Sequence, residues 1–288
     1  LCLNMVIEML FNPFVVKKKP WQMFAAGFLY TIIALMVSLL VFKEIAGILT
    51  IFLIVIACLP LLFTAIKNEE ELDMKSNKEW WLLKEHTKVL LFLIALFLGI
   101  TFALILIYVF LPQPLVDSVF KLQSEAIGRV NNSVQANVTG NIAKLDIFTK
   151  ILFNNFKVLF FCLIFSLLYG TGAIFILTWN ASVIATAMGN LIKTELAKTA
   201  SVVGLAQISS YFGVASFAFF RYMTHGLLEI AAYFIAGLAG GIISVALIKH
   251  DLKEDRVLID SLDLIIISAG LLVVAGIVEV YITPVFFY

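Results

Sequence analysis

His225 and Glu229, four residues apart inside an apolar run, are the side chains best placed to do chemistry in this sequence. On a helix an imidazole and a carboxyl at that spacing share one face, one turn apart. Arg221 stands one turn before them, and Glu279 lies in the next apolar run. In hydrocarbon such groups cost roughly 2.5–3.5 kcal/mol each on insertion scales, so they face a protein interior or a water cavity and take partners.

Three chemistries are open to the set. The plainest, and the expectation here, is a hydrogen-bonded pair, closed by Glu279 or Arg221, that holds helices in register. The second is a translocation or proton-relay site. The third is a metal held by His225, Glu229 and Glu279 with one open position. Against it, His-x-x-x-Glu is a common spacing, and the other histidines, His86 and His250, fall outside the apolar runs. No metal and no other cofactor is expected. The sequence has no Gly-x-Ser-x-Gly elbow, no Ser-His-Asp order and no Walker loop, and it reads as non-enzymatic.

The element that must position His225 and Glu229 is the run 220–248. As a helix it puts 225, 229, 232, 236 and 240 on one face, so the polar pair sits above Ala232, Ala236 and Gly240. Gly237 and Gly241 form a GxxxG pair, which predicts a close helix contact, within the chain in preference to between copies. Glu279 shares a face with Ser268, Ala275 and Thr283 and reaches a similar depth if its helix runs antiparallel.

Composition sets the class. Of 288 residues, 62% are hydrophobic and 14% charged, with a mean hydropathy of +1.06, which predicts an all-α polytopic membrane bundle and not a soluble domain. A net charge of +1 and scattered basic residues argue against nucleic acid. The three cysteines lie apart, with Cys58 and Cys162 in apolar runs, and form no disulfide or metal set.

Along the chain, 1–20 reads as a cytoplasmic interfacial segment and 21–66 as a transmembrane hairpin with a kink at Pro60. Residues 67–88 are a polar cytoplasmic loop anchored by Trp80 and Trp81, and 89–111 is the third span. The stretch 112–155 reads as an extracytoplasmic loop of two amphipathic helices, with acceptor patterns for glycosylation at Asn131 and Asn137 and a surface for an outer partner.

A C-terminal core of 156–288 follows. Its first span, 156–179, holds Gly170 and Gly172, read as packing or kink residues in preference to an ion filter. Asn180 is a candidate N-cap for the next helix, in which Gly189 is spaced for a tight contact. One of 180–200 and 201–220 crosses, the other being re-entrant or interfacial, and 221–248 and 263–283 complete about seven spans. The positive-inside rule then puts the N-terminus in the cytoplasm and the C-terminus outside, in a plasma membrane.

Three passages carry a resemblance: Asn154-Asn155 before a glycine-bearing span, TWNASVIATAMGN, and THGLLEIAAYFIAGLAGG with its His225, Gly226 and Glu229 spacing. Together they resemble the stage II sporulation protein M family over roughly 154–288. The opening KKKPWQMFAAGFLY and the turn IKHDLKED look like that family's archaeal branch, whose members add an N-terminal hairpin. The resemblance implies a non-enzymatic membrane scaffold that gathers membrane or cell-envelope partners, with a homodimer as the expected assembly. A channel or transporter subunit with a polar site at His225 and Glu229 is the rival function.

Overall fold

The structure, a computed structural model, describes residues 20–75, 79–135, 141–169, 172–198, 205–249 and 255–287. Side chains are described over 20–62, 90–129, 144–168, 172–198, 209–248 and 258–287. Among these residues there is no strand, as a bilayer requires: without water every backbone N–H and C=O must be paired within its own segment.

The first three spans lie in α1 (Pro20–Val41), α2 (Ala46–Lys75) and α3 (Glu79–Phe110). Two shorter helices, α4 (Gln113–Val119) and α5 (Lys121–Gln135), cap one end. Next come α6 (Asn141–Tyr169), α7 (Ala173–Lys198), α8 (Leu205–Lys249) and α9 (Asp255–Ile277). One π-helical turn, Val278–Ile282, joins α9 to α10 (Thr283–Phe287). Seven stretches among the described residues are long and apolar enough to cross a membrane. The apolar window of α8 is 78% buried, against 33%, 22% and 28% for those of α1, α6 and α9. So α8 is the central post, and α1, α6 and α9 turn large apolar side chains such as Ile33, Phe160 and Ile266 outward, where lipid would cover them.

Lipid tails are as apolar as leucine, so burying leucine against leucine does little to bring these helices together; close packing must. Gly27 of α1 lies against the Leu96 carbonyl of α3, and Gly99 of α3 against the Phe24 carbonyl of α1, with no room for a Cβ at either. Along the same helices, the hydroxyls of Thr31, Ser38 and Thr101 donate to the carbonyls four residues back at 2.7–2.9 Å, so these three are satisfied at home.

The capped end is tied down in the same way. Gly47 of α2 lies under the Val119 carbonyl, and Ser118 Oγ donates to the Lys43 carbonyl at 3.2 Å. Phe120, between α4 and α5, is buried against Tyr108 at 5.1 Å between ring centroids. From α5, Gln123 Nε2 donates to Ser182 Oγ of α7 at 3.1 Å.

Several sequence expectations are corrected. The stretch 156–179 is not one span: the chain leaves α6 after Tyr169 and turns back at Gly172 into α7. A Cβ on Gly172 would run into the Phe165 carbonyl, so Gly172 makes a turn between helices, not a contact along one. Because α7 starts at Ala173, Asn180 lies in its interior and caps nothing. Ala173–Lys198 is long and apolar enough to cross, and 205–220 is not a separate element but the first part of α8. In the outer stretch, the second amphipathic helix is the start of α6, while Asn131 falls on α5. Helices also enter the expected loop 67–88 from both sides. The segment 1–19, Gly170, Asn137 and His250 lie outside the described residues.

Replacing Gly99 by Leu forces α1 and α3 apart, and the expected loss is about 5–10 °C in melting temperature, equivalent to roughly 2–3 kcal/mol of overpacking. Thermal unfolding in detergent measures it. Gly270→Leu, at an exposed site on α9 with open space around it, should leave the melting point unmoved.

Candidate functional site

Three spans meet around Glu229. Asn155 comes from α6, His225 and Glu229 from α8, and Glu279 and Thr283 from the π turn and the helix after it. What holds them in register lies two turns along α8. Ser166 Oγ of α6 donates to the Gly237 carbonyl at 2.6 Å. A Cβ on Gly237 would lie 2.8 Å from that of Ala173, and one on Gly240 2.7 Å from the Leu163 carbonyl. Ala232, Ala236 and Gly241 are buried beside them. Glu229 is about 12 Å of helix rise from Gly237, so α6 cannot slide without carrying Asn155 away from it.

Glu229 is held on two sides. Asn155 Nδ2 donates to its Oε1, and its carboxyl is hydrogen-bonded to that of Glu279. A hydrogen bond between two carboxyl groups requires one of them to carry the proton. Tyr233, one turn along α8, is buried with its phenol in the field of both carboxyls.

The row continues to His225. Its Nε2 lies 3.9 Å from Glu279 Oε1, an ion-pair distance for a protonated ring and too long for a hydrogen bond. Its Nδ1 lies 3.4 Å from Thr283 Oγ1. The Thr283 hydroxyl donates to the Val278 carbonyl at 3.0 Å, so its oxygen is left to accept from His225 Nδ1–H, which turns the bare Nε2 toward Glu279. The Thr283 amide also bonds back to Val278 and closes the π turn. That wide turn adds a residue to the seventh span where Glu279 must aim at α8, a use to which π turns are often put at functional sites.

A cavity of about 490 Å³ opens onto this row. Lys144, Ile151 and Arg221 line it together with His225, Glu279 and Thr283. Lys144 is exposed at its mouth, whereas the side chains of His225 and Glu279 are 14% and 28% exposed. Glu229 is not among the residues that line the cavity.

Of the residues singled out in the sequence, His225, Glu229 and Glu279 are brought together, and Arg221 shares their cavity one turn away, its guanidinium 6.0 Å from the Tyr222 ring centre. Gly189 belongs elsewhere, where a Cβ would lie 2.6 Å from the Tyr108 ring. Asn180 is also apart, its Nδ2 buried without a hydrogen-bond partner. Among the described residues no group of three or more His, Cys, Asp or Glu is arranged to hold a metal. Asn155 was missed as a site residue because the span was started at 156. The available signal was an amide inside FNNFKVLFF, a run apolar enough to be buried.

The family model for stage II sporulation protein M matches residues 88–284, more than half of the chain. The chain belongs to the stage II sporulation protein M family. The match takes in α6, α8 and the π turn, and leaves α1, α2 and the first turns of α3 outside. It begins well before the 154–288 of the sequence resemblance, so the third span and the cap of α4 and α5 belong to the family's common part. The family is established by this match, and a branch within it is not. No curated protein and no solved structure matches the chain.

Within this stage II sporulation protein M relative, Asn155→Leu and Glu229→Gln should be non-additive. Measured as unfolding free energies in mixed micelles, their coupling is expected at about 0.6–1.7 kcal/mol, the range of hydrogen bonds between transmembrane helices. Additive effects would show that the two side chains are not bonded.

Proposed function

We propose that this protein is a non-enzymatic channel or transporter subunit of the plasma membrane, in which the Glu229–Glu279 pair takes up a proton or a cationic group from one side. One observation carries the reading: the floor of the cavity is His225 and Glu279, and Glu279 is hydrogen-bonded onward to Glu229. An acid deep in a span, partnered and reached from a water-sized cavity, is what an ion or proton pathway needs. A pair that served only to hold register would gain nothing from such access.

Charge supports an orientation. With the N-terminus in the cytoplasm, the segments 1–19, 63–89 and 249–257 collect Lys17, Lys18, Lys19, Lys67, Lys75, Lys78, Lys84, Lys88, Lys249, Lys253 and Arg256 on one side. The cap of α4 and α5, the mouth of the cavity and the C-terminus then face outward.

A second reading, the scaffold, is favoured by the cap itself. Helix α5 is anchored through Gln123 while Lys121, Leu122, Glu125 and Arg129 stay exposed, a fixed surface for an envelope partner or a second copy of the chain. A photo-crosslinker at Leu122 in native membranes tests it. One discrete adduct supports the scaffold, and no adduct counts against it.

For the first reading, purified protein in liposomes with a trapped pH dye should pass protons after an acid pulse under a potassium diffusion potential. Glu229→Gln should lower the rate to that of empty liposomes, and Gly270→Leu should not. A wild-type rate equal to that of empty liposomes overturns the proposal.

A further inference from the structure

Resting on the reading of this cavity as the entrance to the site, we propose that it holds a zwitterionic headgroup, an ammonium group carried beside an anionic phosphate or carboxylate. The argument is the order of charge along the cavity. Lys144 of α6, exposed, supplies a cation at the rim, Arg221 of α8 is half-buried in the wall, and Glu279 supplies a partly buried acid. Arg221 and His225 are one turn apart on α8, about 6 Å, and Glu279 Oε1 lies 3.9 Å beyond the ring. A simple cation would pass the Lys144 ammonium on entry, and a simple anion would end against the Glu279 acid. In a partly buried site a wrongly paired charge is costly, because little water is left to screen it. A molecule with its anion outermost and its amine leading pairs at both places.

The walls name the kind of molecule that carries the headgroup. Between the charged groups lie Ile147, Ile151, Val280 and Pro284. Val285 and Phe286, the residues after Pro284, are 77% and 73% exposed, on a surface that lipid tails would cover. A volume of about 490 Å³ lies within the roughly 300–1,000 Å³ of small-molecule sites. An amine-bearing phospholipid meets all of these conditions, with its headgroup in the cavity and its acyl chains along α10. A free phosphoethanolamine or amino acid shares the charge pattern but leaves the apolar wall without a partner.

The test is native mass spectrometry of the full chain released from nanodiscs, with phosphatidylethanolamine, phosphatidylglycerol and N-acetylated phosphatidylethanolamine as probes. Wild type should retain phosphatidylethanolamine about tenfold better than the two lipids that have a phosphate and no ammonium, about 1.4 kcal/mol. Glu279→Gln should erase that preference, and Lys144→Ser, at the exposed mouth, should weaken retention of all three. Equal retention of the three lipids by wild type overturns the proposal, and that comparison needs no variant to fold. A preference untouched by Glu279→Gln overturns it as well. Displacement by free phosphoethanolamine supports the zwitterion with a soluble source, and failure to displace supports the lipid. Proton flux without lipid preference rejects this inference alone, and lipid preference without flux rejects only the transport reading.

Discussion

Glu229 lies mid-way along the most buried helix and does not itself line the cavity. Every partner it has must therefore be brought by another span: Asn155 by α6 and Glu279 by the seventh. Much of the C-terminal half follows from that need. The glycine and alanine stripe of α8 lets α6 and α7 come close enough for the bonds to form, and the π turn re-aims the seventh span so that its carboxyl arrives on the same side.

The N-terminal half meets the same constraint without charge. Gly27 and Gly99 interlock α1 and α3, and buried hydroxyls return to their own helices. These hydroxyls are thus satisfied within their own helices, whereas the Asn155–Glu229 bond at the site runs between helices. Only the second arrangement ties the positions of helices to one another, and only there does a cavity with charged walls appear beside the buried acid.

A motion that parted α6 from α8 would take the Asn155 amide from the Glu229 carboxyl, and an unpaired buried acid is costly.

The sequence by itself determined the class, the number of crossings and the polar residues of the site that lie in apolar runs, because an ionisable group in hydrocarbon is conspicuous and a span has a minimum length. His225, Glu229 and Glu279 were legible for that reason. Hydropathy does not report where an apolar run folds back, however. The stretch 156–179 is apolar on both sides of Gly172, and only the close approach of Gly172 to Phe165 made it a turn and moved Asn180 from a helix end to a helix interior. Asn155 became a partner of Glu229 for the same reason, once α6 was seen to cross from Lys144 to Leu168. Gly27 and Gly99, far apart in the chain, carried no local signal at all. Which small residues touch, and which acid faces which amide, depends on the register between helices, and register exists only when the helices are packed.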